Sequence, residues 1–191
     1  MKSPIYTLFI VFSIIFFTVS CATPPTDDMN RAEDAVIRAE NNADAVNYAS
    51  GTLTRARDAL TRMQIEADAK RYDTARAYAA EAIAFAERAI EEGTIAAMRA
   101  RDEAAAMLNG LSGSLTETTN ALNNAGRDLD IDLPHLQAEL DYARQTHNEA
   151  RQDLAENNVQ DAVSRGQVVR VTLSGINTAI NEAAQLTLRK R

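Results

Sequence analysis

Apolar residues recur along this chain at alternating spacings of three and four. Leu53, Ala56, Leu60, Met63 and Ala67 form one such register, which is the seam of a helix that packs on a neighbour. After Lys70–Tyr72, which reads as a turn, the register resumes through Ala75, Ala79, Ala82, Ala86, Ala89, Gly93, Ala96, Ala100, Ala104, Met107 and Leu111. A long helix with an alanine seam is predicted, with Asp73 as its cap. Gly110 and Gly113 are expected to weaken or end it, because glycine is a poor helix former. Ser114–Ala125 is then a further helix, carried by Leu115, Leu122 and Ala125. Before these, Asp28–Asn42 reads as a first helix with Ala32, Ala35, Val36 and Ala39 on one face, capped by Thr26 or Asp27. Asn41-Asn42 and Tyr48–Gly51 interrupt it.

The stretch GRDLDIDLP (Gly126–Pro134) is the clearest loop. Beyond it a second pair of seams follows: Leu136, Leu140, Ala143, His147, Ala150 and Leu154, then, after Asn157-Asn158, Ala162, Gly166, Val169, Leu173, Ile176, Ile180 and Ala183. Leu53, Ala56, Met63, Ala67, Ala75 and Ala82 fall opposite Leu140, Ala143, Ala150, Leu154, Ala162 and Val169 at one constant offset. That points to a duplicated helical hairpin, although any two heptad hairpins can be aligned by chance. The expected fold is all-α: elongated antiparallel helical hairpins in a coiled-coil-like bundle.

The first residues have a different character. A basic start at Lys2 is followed by an apolar run over Ile5–Val19. That run is short of the roughly 20 residues a membrane-spanning helix needs, and it has the form of a secretory signal. It ends at Cys21, the chain's one cysteine, between Ser20 and Ala22. This resembles the lipobox of bacterial lipoproteins, in which the thiol is diacylated and the cysteine becomes the first mature residue. Cleavage after Ala22 to release a soluble protein, and a retained N-terminal membrane helix, remain as alternatives. The expected organisation is a signal peptide at 1–20, a lipidated tether at 21–27, a first helical hairpin region at 28–126, a loop at 127–134 and a second helical hairpin at 135–191. Lipidation on Cys21 would anchor the chain, since each buried CH₂ contributes about 0.8 kcal/mol.

Charge and composition narrow the function classes. The formal net charge is −7, and removal of Lys2 with the leader makes the remainder more acidic. Nucleic-acid binding, which needs a basic face, is not expected. A single cysteine excludes a disulfide framework and, once acylated, thiol catalysis. Four of the five phenylalanines lie in the leader, and there is no tryptophan. The apolar content of the rest is mostly alanine, which buries little area and favours closely packed helices.

Tyr48–Ala89, with Leu53, Ala56, Leu60, Tyr72, Asp73, Ala75, Ala79 and Ala82 as its matching positions after Cys21, resembles the Ala-rich lipoprotein family catalogued as domain-of-unknown-function family 4398. Two features differ from that pattern: Ser50-Gly51 stands where a proline is expected, and Arg71-Tyr72-Asp73 replaces a Gly-Asp-Tyr-like turn. The resemblance implies an envelope lipoprotein and no particular reaction.

No arrangement of residues points to catalysis. His135 and His147 are the only histidines, and neither has a second metal ligand in a recognisable motif. Asp128–Asp132 lacks the glycine and closing glutamate of a calcium loop, so it reads as a solvated loop with Asp130 or Asp132 near the next helix start. Tyr72 and Tyr78, near the hairpin turn, are expected to pack over the bundle end; with Tyr142 they are also the best candidates for contact with a partner. No enzyme activity and no cofactor are expected. The expectation is a structural or adaptor lipoprotein of the cell envelope, at the outer membrane and facing the periplasm or the surface. Its partners would be the membrane, through the lipid anchor, and an envelope protein or peptidoglycan. Binding of a small hydrophobic ligand or lipid between helices, and association with the cell wall, are the alternatives.

Overall fold

The computed structural model describes residues 23–189. Within them lie six helices and no strand: α1 (Thr26–Glu40), α2 (Ala43–Tyr48), α3 (Ser50–Asp68), α4 (Tyr72–Asp128), α5 (Leu133–Ala155) and α6 (Val159–Arg189). The all-α class read from the seams holds. The expected signal peptide and Cys21 fall outside the described residues.

The described residues divide into two compact units, the first ending at Thr94 and the second beginning at Ile95. The division lies inside α4, not at the 127–134 loop. The loop itself is shorter than the sequence suggests, because α4 runs to Asp128 and α5 starts at Leu133. Gly110 and Gly113 do not end α4. Each interior glycine costs about 1 kcal/mol relative to alanine. Leu108, Leu111, Leu115 and Leu122 on the same stretch are buried, each contributing roughly 1.5–3 kcal/mol, so tertiary packing overrides the local propensity.

The first unit is built from α1, α2, α3 and the N-terminal half of α4. Arg76 approaches Asp28 at 3.8 Å, and Gly93 lies against Ala45. Both pairs are separated by 48 positions, so α1 and α2 run parallel to α4. On α3 the order reverses: Thr52 donates to Glu92 at 2.6 Å while Arg62 sits over Tyr78. The result is an up-down-up three-layer bundle with a core made largely of alanine, including Ala32, Ala35, Ala56, Ala75, Ala79 and Ala82.

The second unit repeats the plan with the C-terminal part of α4, α5 and α6. Asn177 donates to Thr118, 59 positions away, and Gly166 faces Met107 at the same separation, so α4 and α6 are parallel. Arg165 on α6 reaches back to Asp153 and Glu149 on α5, as antiparallel neighbours do. Its core holds larger side chains: Leu108, Leu111, Leu122, Leu140, Leu173 and Ile176. Both antiparallel hairpins read from the seams are present, α3 with the N-terminal half of α4 and α5 with α6, and further helical segments pack on each to make a bundle. The seam of α4 also shifts between them. Ala96 and Ala100 are only half-buried, and Leu108 takes the inward place expected of Met107.

The two turns between antiparallel helices match in detail. After α3, the Lys70 amide donates to Ala67 and the Arg71 amide to Glu66. After α5, the Asn157 amide donates to Leu154 and the Asn158 amide to Asp153. These are paired Schellman bonds, which satisfy the last carbonyls of a helix. They place Lys70 (φ 57°) and Asn157 (φ 67°) in the left-handed region, at the same 87-position offset that aligns Leu53 with Leu140. Side chains with a Cβ are disfavoured there, asparagine least. Lys70→Gly is therefore expected to raise stability by about 0.5–1 kcal/mol, read as a higher denaturant midpoint, while Asn157→Gly should gain less.

Helix entry is less regular. Neither Thr26 nor Asp27 caps α1; Pro25 precedes it without a side-chain cap bond, and Asp27 and Asp28 lie in the first turn, where they favour the helix dipole. Asp73 likewise sits in the first turn of α4 rather than capping it. Asn42 and Asp132 are side-chain caps, accepting from the Ala45 and His135 amides.

Candidate functional site

The side chains singled out in the sequence are not gathered in one place. Tyr72 and Tyr78 belong to the first unit. Tyr72 opens α4 and is half-buried; Tyr78 packs against the alanine core, with the Arg62 guanidinium 5.9 Å from its ring centroid. Tyr142 stands on α5 of the second unit, 56% exposed. Of the three, it presents the most free aromatic surface. Cys21 lies outside the described residues.

His147 has a structural place. It is buried on α5, and its Nε2–H donates to the Leu108 carbonyl of α4 at 2.9 Å, with Ser112 Oγ at 3.4 Å. Thr118 and Asn177 form a second internal polar contact at 3.1 Å. In cores this apolar, such bonds fix which residues face each other, because a slipped register would strand a buried polar group. His147→Ala should destabilise the second bundle by about 2 kcal/mol through lost packing and a lost hydrogen bond. Chemical denaturation of this variant beside His135→Ala checks this; His135 is exposed and 3.6 Å from Glu139, and its loss should be nearly neutral.

Asp132 serves as a helix cap and Asp130 is exposed. Among the described residues no group of three or more His, Cys, Asp or Glu side chains is placed to hold a metal ion. The ion pairs among the described residues lie at the surface. Arg71 grips Glu66 with two guanidinium nitrogens, and that hydrogen bonding holds the Glu66 carboxyl below its ordinary range. The stabilisation from this pair is present above the usual carboxylate range and fades as the pH falls through the lowered value.

Three surface grooves among the described residues bear on function. One, of about 250 Å³, is lined by Arg55, Asp58, Ala59, Arg62, Glu81 and Phe85. A second, of about 360 Å³, includes Asp28, Arg31, Arg76 and Glu87 beside Ala79 and Ile83. The third, of about 330 Å³, lies between α4 and α5 and is lined by Arg101, Ala105, Leu108, Asn109, Arg151, Leu154 and Ala155. Sequence reading missed the third groove, since its two arginines are 50 positions apart and meet only when α5 folds back on α4. No helix among the described residues is long and apolar enough to cross a membrane.

No curated protein and no solved structure matches the chain. Residues 27–107, a span that takes in all of α2 and α3, nearly all of α1 and the N-terminal part of α4, match the model of a family described as domain of unknown function (DUF4398), and the family resemblance read from the alanine seam holds over that span.

Proposed function

We propose that this chain is a non-enzymatic lipoprotein of the bacterial cell envelope, held to a membrane by lipid on Cys21, that acts as a structural or adaptor scaffold. The observation that carries this reading is the way the helices are built. The continuous helix α4 contributes to the core of each unit, and inside the second unit His147 is bonded to backbone and Thr118 to Asn177. Such a construction provides stable outer faces, and recognition then depends on what those faces carry. Tyr142 is the exposed aromatic suited to anchor a protein contact, because interface energy concentrates in a few large side chains. Ala22 after Cys21 favours passage to the outer membrane, by resemblance to known sorting patterns.

The anchor is tested by metabolic labelling with a fatty acid. The wild type is expected to take up label and to sediment with membranes, and Cys21→Ser to do neither. Equal labelling of both would end the lipoprotein reading.

A further inference from the structure

The three surface grooves differ in charge. In the first, Arg55 and Arg62 are balanced by Asp58 and Glu81. In the second, Arg31 and Arg76 are balanced by Asp28 and Glu87, and both arginines approach Asp28. The third has Arg101 and Arg151 and no carboxylate in its lining. Neither guanidinium has a carboxylate within 4.0 Å among the described residues; Arg101 instead donates to Asn157 Oδ1 at 3.3 Å. Two uncompensated cations in one groove stand out in a chain of net charge −7.

The bundle plan does not require them. The 87-position offset that relates α5 to α3 puts Gln64 at the place of Arg151, and Ala67 at the place of Leu154. The first bundle closes with neither the cation nor the larger apolar side chain. Between the two arginines the floor is apolar, made by Leu108, Leu154, Ala105 and Ala155. A guanidinium pairs with carboxylate or phosphate through two parallel N–H bonds, and an apolar floor retains an attached hydrocarbon.

We propose that this groove between α4 and α5 binds an anionic amphiphile, an oxyanion head held by Arg101 and Arg151 with a short apolar chain lying on Leu108 and Leu154. The site is independent of the scaffold reading and can be present whether or not Cys21 carries lipid.

Calorimetric titration of the purified full chain tests it, with hexyl phosphate as the probe and inorganic phosphate and hexyl glucoside as comparisons. Hexyl phosphate should bind saturably with one site per chain. Inorganic phosphate and hexyl glucoside should each bind at least tenfold more weakly. Arg101→Gln with Arg151→Gln should weaken hexyl phosphate at least tenfold. Both positions are exposed, and unchanged circular dichroism confirms that the variant folds. Arg55→Gln with Arg62→Gln, in the balanced groove, should leave binding as it was. No saturable binding of hexyl phosphate would overturn the proposal. So would equal affinity for inorganic phosphate, or equal binding by the Arg101/Arg151 double variant.

Discussion

Replacing Ala82 by glutamate is expected to destabilise the first bundle by about 3 kcal/mol or more. Ala82 is fully buried on α4 among Ala75, Ala79 and Ala86. A glutamate there adds volume to a seam of methyl groups and places a carboxylate in a core whose described buried residues are all apolar. Its neighbour Glu81 is exposed, and Glu81→Ala should change stability by no more than about 0.5 kcal/mol. Thermal and denaturant unfolding of both variants checks the assigned face of α4. Similar losses from the two changes would mean that the register is wrong.

The second large effect is expected from a single methyl group. A Cβ added at Gly93 would lie 2.6 Å from the Ala45 nitrogen and from the Asp44 carbonyl carbon. Both are backbone atoms of α2, which cannot move aside like a flexible side chain. Gly93→Ala should therefore cost about 2 kcal/mol, because α2 must shift away from α4. Gly110 gives the contrast on the same helix. A methyl group there would meet nothing within 4 Å, and Gly110→Ala should stabilise by about 0.5–1 kcal/mol. The opposite signs separate a glycine that permits close approach from one that only weakens its helix. Paired denaturation curves read both, and a stabilising Gly93→Ala would contradict the docking of α2.

The two bundles reach the same plan with different cores, and this affects how each should fail. The first has alanine at most inward positions, whereas the second has leucine, valine and isoleucine at many of them. Ala82 and Val169 occupy matching places 87 positions apart, and both are fully buried. Added volume is the main hazard in the alanine core, and lost volume in the leucine core. Leu140→Ala should thus harm the second bundle, while its counterpart in the first, Leu53, sits among smaller neighbours.

Much of this was legible in the sequence because the heptad seams are strict. Leu53, Ala56 and Met63, and later Leu140, Ala143 and Ala150, are buried where their spacing put them. The seam cannot show which helices share a core. Leu108 and Val169 sit on different helices with no local mark of the pairing, so the third helix of each bundle was not visible. Gly110 and Gly113 were misleading because local propensity was set against four buried leucines that only the tertiary fold supplies. The shift from Met107 to Leu108 is a one-residue change of face, made as α4 passes from one core to the other, and no residue type announces it. The candidate groove was hidden for a similar reason. Arg101 and Arg151 each look like ordinary helix-surface charges until α5 is laid antiparallel on α4.

A scaffold works through the placement of its faces, so single polar side chains away from the contact should be dispensable. His147 is unsuited to that test, since its loss would disturb the core. Asp130, Asp132 and His135 are exposed, and so is Tyr142. The direct measurement is crosslinking in intact cells, with the captured neighbour identified and its recovery compared between variants whose circular dichroism is unchanged. The scaffold account predicts that Asp130→Ala, Asp132→Ala and His135→Ala each retain both the neighbour and cellular function, while Tyr142→Ala lowers recovery severalfold. Loss of cellular function from Asp130→Ala or His135→Ala alone, with the fold intact, would contradict it and point to chemistry at that side chain.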